Sequence, residues 1–460
     1  MIFMPRRLAT RPPRGTKKVS LPPAAVLKKL PCPATLSGQS QTTMSTPQSK
    51  PIGKSQWMVL FAALLGWMFD GLEMGLFPVA ARPALIDLMK VGPGNEALVG
   101  TWISYFTAVF LVGAAAGGVL FGWLGDKLGR VRSMALSILA YSFFTGCCYF
   151  ATTPWHLAVC RFASALGMGG EWGLGVALVM ESWPERLRPV LAGVIGAAGN
   201  VGYLLVGVLA MQFRVTPESW RWTMLVCASP ALLAFLIMFL IPESERWKES
   251  VKQGSSKPFQ EIFGPKLRKP TLLATAFATI ALIGTWGAVT GFLPSWADQL
   301  AGQHDPYAKG KVQFVVSIGA IIGCFFAGIF GGRFGRRPTY FGLCVFSLAV
   351  CGLLFGTLRE YNTLFLILAG MAGCGTAAFY GWLPLYLPEL FPTRVRTTGQ
   401  GLSYNFGRVL TAVGVLCVGQ LMHFFNGSYP HACGTIILVY VLGMVLIWFA
   451  PETKGKPLPE

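Results

Sequence analysis

The sequence predicts an all-α integral membrane protein, with twelve transmembrane helices in two six-helix pseudo-repeats. Three observations carry this. Apolar stretches of about 20 residues, the length that crosses a bilayer, occur twelve times along the chain. Hydrophobic residues make up 53% and charged residues 12%, with a mean hydropathy of +0.55; a soluble domain carries about 25% charged residues. Short motifs of the first half return in the second at a nearly constant offset.

Residues 1–50 hold nine Lys or Arg and no Asp or Glu, with many Pro and Ser. Such a segment cannot build a core, so it is expected to be a basic disordered tail. Its acid-free character has a faint transit-peptide flavour; a true start at Met44 is the plainer reading, and no cleavable signal peptide is evident. The apolar stretches fall at 57–80, 99–121, 133–151, 155–179, 190–211, 222–241, 271–295, 312–330, 339–357, 363–386, 398–421 and 432–450. With the N-terminus inside, the inner connections and C-tail beyond residue 56 carry 19 Lys or Arg and the outer ones 7. This bias predicts both termini in the cytoplasm. The long polar connection 242–270 then divides a first bundle, 51–241, from a second, 271–450, with 451–460 as a cytoplasmic tail.

The net charge of +19 does not indicate nucleic-acid binding, because the basic residues lie in loops and tail. The 11 cysteines show no CxxC spacing and read as small buried hydrophobes, not as disulfides or a metal site. His156, His304, His423 and His431 fall at or near helix ends, so a histidine proton relay is not expected. Neither a nucleophile–base set nor a phosphate loop occurs, which argues against an enzyme. No cofactor is expected.

The halves repeat at three anchors. The loop Gly122-Trp-Leu-Gly-Asp126-Lys127-Leu-Gly129-Arg130-Val-Arg132 returns, offset by 206, as Gly328-Ile-Phe-Gly-Gly332-Arg333-Phe-Gly335-Arg336-Arg337. Glu181, Pro184, Arg186 and Arg188 match Glu389, Pro392, Arg394 and Arg396 at offset 208, and Pro242-Glu243-Ser244 matches Pro451-Glu452-Thr453 at 209. Two parallel six-helix repeats with a site between them near the midplane is a transporter plan. The loop resembles the signature between the second and third helices of the major facilitator superfamily. Pro242-Glu-Ser-Glu-Arg-Trp247, Pro388-Glu-Leu-Phe-Pro-Thr-Arg394 and Pro451-Glu-Thr-Lys-Gly455 resemble its sugar-porter branch. Arg161-x5-Gly167-x-Gly169-Gly170-Glu171-Trp172-Gly173 and Phe69-Asp70-Gly71-Leu72-Glu73 are similar to its proton symporters for sialate, lactate, aromatic acids and related metabolites. Two departures stand out. Gly332 replaces the usual Asp, weakening any charge latch in that half, and Gly284–Gly291 lacks the paired glutamines of hexose porters.

Charges inside a bilayer are costly and mark candidate function. Here they are Asp70, Glu73, Arg161, Glu171 and Arg408. Asp70 and Glu73 share a helix face. Counting about 1.5 Å of rise per residue places them near the depth of Arg161, so an Asp70/Glu73–Arg161 pair is feasible. The resemblance implies that Asp70 and Arg161 act as a proton switch; a permanent salt bridge between helices 1 and 4 is the alternative. Glu171, in a glycine-rich stretch, reads as a packing residue, with a second protonation site as the sharper option. Arg408, with Asn405 one turn earlier, suits a bidentate clamp on a substrate carboxylate, or else an ion pair within the protein. Asn200, Tyr203, Trp286, Tyr380 and Trp382 are further candidates for a cavity lining. Gating is assigned to Gly122, Asp126, Lys127, Gly129, Arg130, Arg333, Gly335, Arg336, Glu181, Arg188, Glu389 and Arg396, with Asp126 expected, by resemblance, to latch the inner gate near basic residues and a neighbouring helix N-terminus.

The resemblance thus implies a secondary transporter in the plasma or inner membrane, working by alternating access. The expected cargo is a small organic anion moved with a proton, and the expected unit is a monomer in lipid. Sugar or polyol porters, organic-cation carriers and drug exporters of the same plan are the alternatives within the class. A non-transporting membrane sensor is the alternative outside it.

Overall fold

The computed structural model describes residues 52–90, 96–212, 215–252, 254, 257–302, 304–305, 307–416, 424–426 and 428–460. The tail 1–50, Met44 and His423 lie outside the described residues. All twelve expected helices are present: α1 (Lys54–Met89), α2 (Glu96–Leu128), α3 (Arg130–Cys147), α4 (Pro154–Ser182), α5 (Arg188–Gln212), α6 (Trp220–Leu240), α7 (Arg268–Ala301), α8 (Ala308–Phe334), α9 (Arg336–Thr357), α10 (Thr363–Leu390), α11 (Arg396–Leu416) and α12 (Tyr429–Phe449). Most run past their apolar stretches. Hydropathy marks only the part that meets lipid, while backbone hydrogen bonding carries the helix on until a glycine, a proline or a cap stops it.

Eleven of these, among the described residues, are long and apolar enough to cross a membrane. The remaining one, α11, carries Arg396, Gln400, Ser403, Asn405 and Arg408, all buried. It packs against α2, α4 and α7, so its polar groups meet protein and not lipid. Position sets exposure elsewhere too. In its apolar window α4 is 83% buried, whereas α6 and α12 are 33% buried and turn Leu232, Phe239 and Phe449 outward.

The loops between α2 and α3 and between α8 and α9 shrink to single residues. Gly129 and Gly335 have φ of 106° and 101°, a region closed to most L-residues. Each turn exposes the first amides of the next helix, and an acid satisfies them. Glu243 accepts from the Arg130 and Val131 amides at 2.9 and 3.1 Å. Glu452 accepts from those of Arg336 and Arg337, both at 3.0 Å, and from those of Thr453 and Lys454. The repeated Pro-Glu-Ser/Thr motif is therefore a helix cap supplied from a distant segment. Burial opposes the Glu452 charge, but these four amides outweigh it and hold its pKa below the ordinary carboxylate range. A depressed pKa contributes stability that is complete above the unfolded value and lost as pH falls through the folded one. Acidification should therefore lower the melting temperature in detergent, and Glu452→Gln should flatten part of that dependence.

The helices of each half pack among themselves, α1 with α4 and α5, α2 with α4, α8 with α10, and α9 with α10 and α12. The halves meet through α2 with α11 and α5 with α8 and α10. Glycine permits this approach. A Cβ on Gly118 would overlap the Asn405 amide, and one on Gly401 would overlap the Gly118 carbonyl. Above this seam the halves enclose a central cavity.

Candidate functional site

The central cavity is lined from both halves: by Trp67 and Gly71 of α1, Asn200 and Tyr203 of α5, Trp286 of α7, Gln313 of α8, Tyr380 of α10, and Tyr404 and Arg408 of α11. Its walls combine aromatic, small apolar and polar side chains, among them Asn200, Gln313 and Ser317, with Arg408 as the charged group. In α7 the wall includes a π-helical turn, Thr285–Thr290, a widened geometry that recurs at functional sites. It stands in the Gly284–Gly291 stretch where the hexose-porter glutamines are missing.

Arg408 is the positive group of this cavity. It is 4% exposed, its guanidinium lies 5.5 Å from the Tyr404 ring centroid, and its Nη1 has no hydrogen-bond partner among the described residues. A buried guanidinium with a free N–H aimed at a cavity calls for an anion. Tyr203 adds a buried hydroxyl with no hydrogen-bond partner among the described residues and meets Trp286 edge to face at 6.0 Å, and Tyr380 adds a second buried hydroxyl, near Thr285. Asn200 lines the cavity and points its amide at Gly196 O and Cys324 Sγ.

Two expected lining residues belong elsewhere. Trp382 lies in the aromatic core with Phe277, Tyr340 and Tyr386 and donates to Arg336 O at 3.0 Å. Asn405 donates to Gly169 O at 3.2 Å and Gly401 O at 2.9 Å, tying α11 to α4 at the seam. Helical phase decides both cases: depth alone cannot say which face of a helix meets the cavity. Trp67 and Tyr404 went unassigned from sequence. Trp67 lies three residues before Asp70, on its face, and Gln313 and Ser317 are polar residues within an apolar span; these were the available signals.

The intramembrane charges are sorted differently from the Asp70–Arg161 switch. Arg161 donates from Nη1 to Glu73, not to Asp70, and stacks over Phe77 at 3.9 Å and Phe110 at 4.8 Å. One helical turn separates the two acids, and the rotation of α1 against α4 turns Glu73, not Asp70, toward the arginine. Asp70 instead meets Glu171 of α4, carboxyl to carboxyl. Glu171, read as a packing residue bonded to a neighbour, has the Asp70 carboxyl as that neighbour.

At the end carrying the signature loops, a buried network closes the seam. Arg130 donates to Glu181 (Nη2–Oε1 3.1 Å), Asp126 (3.2 Å), Gly125 O (2.8 Å) and, across the seam, Thr393 O (2.6 Å). Glu181 also accepts from Arg396 of the other half at 2.7 Å. Asp126 takes the N-terminus of α11: it accepts from Thr397 N (3.2 Å) and Oγ1 (2.7 Å), and from Thr398 N (2.9 Å) and Oγ1 (2.6 Å). Gly122 O also lies 2.7 Å from Thr397 Oγ1, so the single hydroxyl proton is shared between it and Asp126.

The second half is unlike the first. Arg336 bonds Glu389 and Gly331 O within its own half, Arg188 turns to Glu185 and Met180 O, and Gly332 abuts the ring of Pro189. Lys127 and Arg333 lie at the exposed rim. The polar latch is one-sided, as Gly332 requires. Asp126→Asn puts an NH2 where a carboxylate oxygen accepts two bonds. A charge-assisted bond is worth about 1.5–3 kcal/mol, so the closed form should lose roughly tenfold or more in population. Spin-label distances between the loop ends of α2 and α11 measure this, and membrane insertion should be unaffected.

Comparison with known proteins agrees with this architecture. The sequence profile of the Major Facilitator Superfamily matches residues 57–415 and 303–460. The chain is 28% identical over 412 residues to the sialic acid transporter NanX of Escherichia coli, covering 88% of this chain and 96% of that one. It is likewise 28% identical over 431 residues to the cis,cis-muconate transport protein of Acinetobacter baylyi, covering 90% and 99%. Among solved structures, the proton:xylose symporter XylE superposes with a TM-score of 0.72 at 16% identity, covering 88% of this chain and 98% of that one. With two six-helix halves, a seam closed at the signature loops and a cavity between them, the chain belongs to the major facilitator superfamily, as a multi-pass membrane transporter and not an enzyme.

Proposed function

We propose that this transporter carries a small organic anion together with a proton, by alternating access, with both termini and residues 242–270 in the cytoplasm. The observation that carries the reading is Arg408: a buried, incompletely partnered guanidinium in a cavity contributed by both halves. An anion fulfils its hydrogen bonding with a charge-assisted contact; a neutral sugar offers the free N–H only a neutral acceptor, and a cation is repelled. The relatives named for sialic acid and cis,cis-muconate, both carboxylates, support the same class. Intramembrane acids near this arginine support proton coupling, and the Lys/Arg bias of the loops supports the orientation. In that orientation the closed signature-loop seam is the inner gate, and the protein acts as a monomer.

The test is uptake into proteoliposomes of labelled cis,cis-muconate, sialic acid and, as a neutral control, xylose, with and without an imposed pH gradient. The expected result is accumulation of one or both acids, abolished by a protonophore, and no xylose uptake. Gradient-driven xylose uptake without either acid would overturn the anion assignment. For orientation, a cysteine at Lys257 should resist a membrane-impermeant thiol reagent applied to intact cells and react after permeabilisation.

A further inference from the structure

Among the described residues, three of the five charged side chains within the spans have no ion-pair partner. Glu73 and Arg161 neutralise each other. Asp70, Glu171 and Arg408 remain, and each is at least 96% buried: their exposures are 0%, 1% and 4%. Among the described residues no protein donor reaches any of the four oxygens of Asp70 and Glu171; the contact these carboxyls make is with each other. The fold is shaped for it. A Cβ on Gly66 of α1 would overlap Glu171 Oε1. On the cavity side, Trp172 stacks on Tyr404 at 3.8 Å between centroids, and Trp67 packs against both.

Two ionised carboxylates are acceptors only and repel. One proton turns one of them into a donor and makes the contact a hydrogen bond. We propose that Asp70 and Glu171 form a proton-sharing carboxyl pair, which keeps one proton in the empty carrier and takes up a second with the anion. This rests on the anion reading of Arg408 and specifies its coupling.

Charge balance fixes the count. With one shared proton the pair carries −1, and Arg408, which acts electrostatically on Asp70, carries +1. When a monoanion binds Arg408, the second proton neutralises the pair. Both forms leave the buried centre at zero charge, which is the condition for moving it through a low-dielectric seam. One anion and one proton enter on one side and leave on the other. Each strengthens binding of the other, since the anion removes the positive charge that balances the pair. Other titratable groups facing the pair are Glu73 on α1, Tyr141 on α3 and Tyr404 on α11; Tyr203 on α5 and Cys227 on α6 lie toward Glu73. Between Phe106 and Gly125, α2 carries no titratable side chain.

The test needs no substrate. Infrared spectra of the purified full chain at neutral pH should show a protonated-carboxyl C=O band. Asp70→Asn and Glu171→Gln should each remove the whole band, because the amide then donates to the remaining carboxylate. Persistence of the band in either variant, or its absence from the unsubstituted protein, would overturn the pair. Glu171→Asp, which keeps both acids, guards against loss of fold: it should retain the band at a shifted frequency, and an unshifted band there would also overturn it. Failure of acid uptake in proteoliposomes with the band behaviour intact would count against the anion reading and leave the pair standing.

Discussion

Arg408→Lys should lower affinity for the transported acid by on the order of 10–100-fold while the protein still folds and inserts. The lysine keeps the charge, so a central ion pair would largely survive the change. What it loses is the planar fork, which presents two parallel N–H groups to a carboxylate. A hydrogen bond to a charged group is worth about 1.5–3 kcal/mol, and the loss of one such bond gives that range. Tyr404, over which the guanidinium lies at 5.5 Å, also loses a flat cation partner. Equilibrium binding of labelled cis,cis-muconate or sialic acid to purified protein measures the effect. If the affinity of whichever acid binds is unchanged, Arg408 is a structural cation and the anion site lies elsewhere.

Glu181→Gln should shift the carrier toward the form open at the signature-loop end by on the order of 100-fold. Glu181 is the counter-charge of two buried arginines, Arg130 of its own half and Arg396 of the other, and all three side chains are fully buried. Glutamine is nearly the same size but removes the negative charge beside Arg396 and leaves Arg130 with Asp126 alone. Breaking a buried pair by removing one partner costs about 3–5 kcal/mol, and 3 kcal/mol is already more than a hundredfold in a two-state equilibrium. The closed form bears this cost, because opening lets Arg396 hydrate. Spin-label distances between the loop ends of α2 and α11 should lengthen, and exchange should slow because the outward-facing form becomes scarce. Unchanged distances would mean that the Arg130–Thr393 carbonyl bond and the bonds of Asp126 to Thr397 and Thr398 hold the seam without the Glu181 charge.

The helices were legible because a bilayer imposes one length and one composition on whatever crosses it. Even α11, with Arg408 and Asn405 in its middle, was found from length and repeat. The polar network at the signature-loop seam was legible for a related reason. Asp126, Glu181 and Arg396 recur as motifs at fixed offsets, and the missing acid at Gly332 announced a one-sided latch, which the contact of Gly332 with Pro189 displays.

Pairing was not legible. Arg161 could reach Asp70 or Glu73 by depth alone, and a single helical turn with the rotation of α1 against α4 selects Glu73. The same rotation sets Asp70 against Glu171, ten residues deeper than Arg161 along α4. Trp382 and Asn405 show the limit again, since their helices do border the cavity yet these side chains point into the core and the seam. The sequence by itself determined how many times this chain crosses the membrane, which loops gather at the gate and which charges are buried. Only the tertiary structure decided which buried charges meet. Span length and motif spacing are properties of the chain's axis, whereas a contact depends on the rotation of each helix about that axis, which is set by packing against its neighbours.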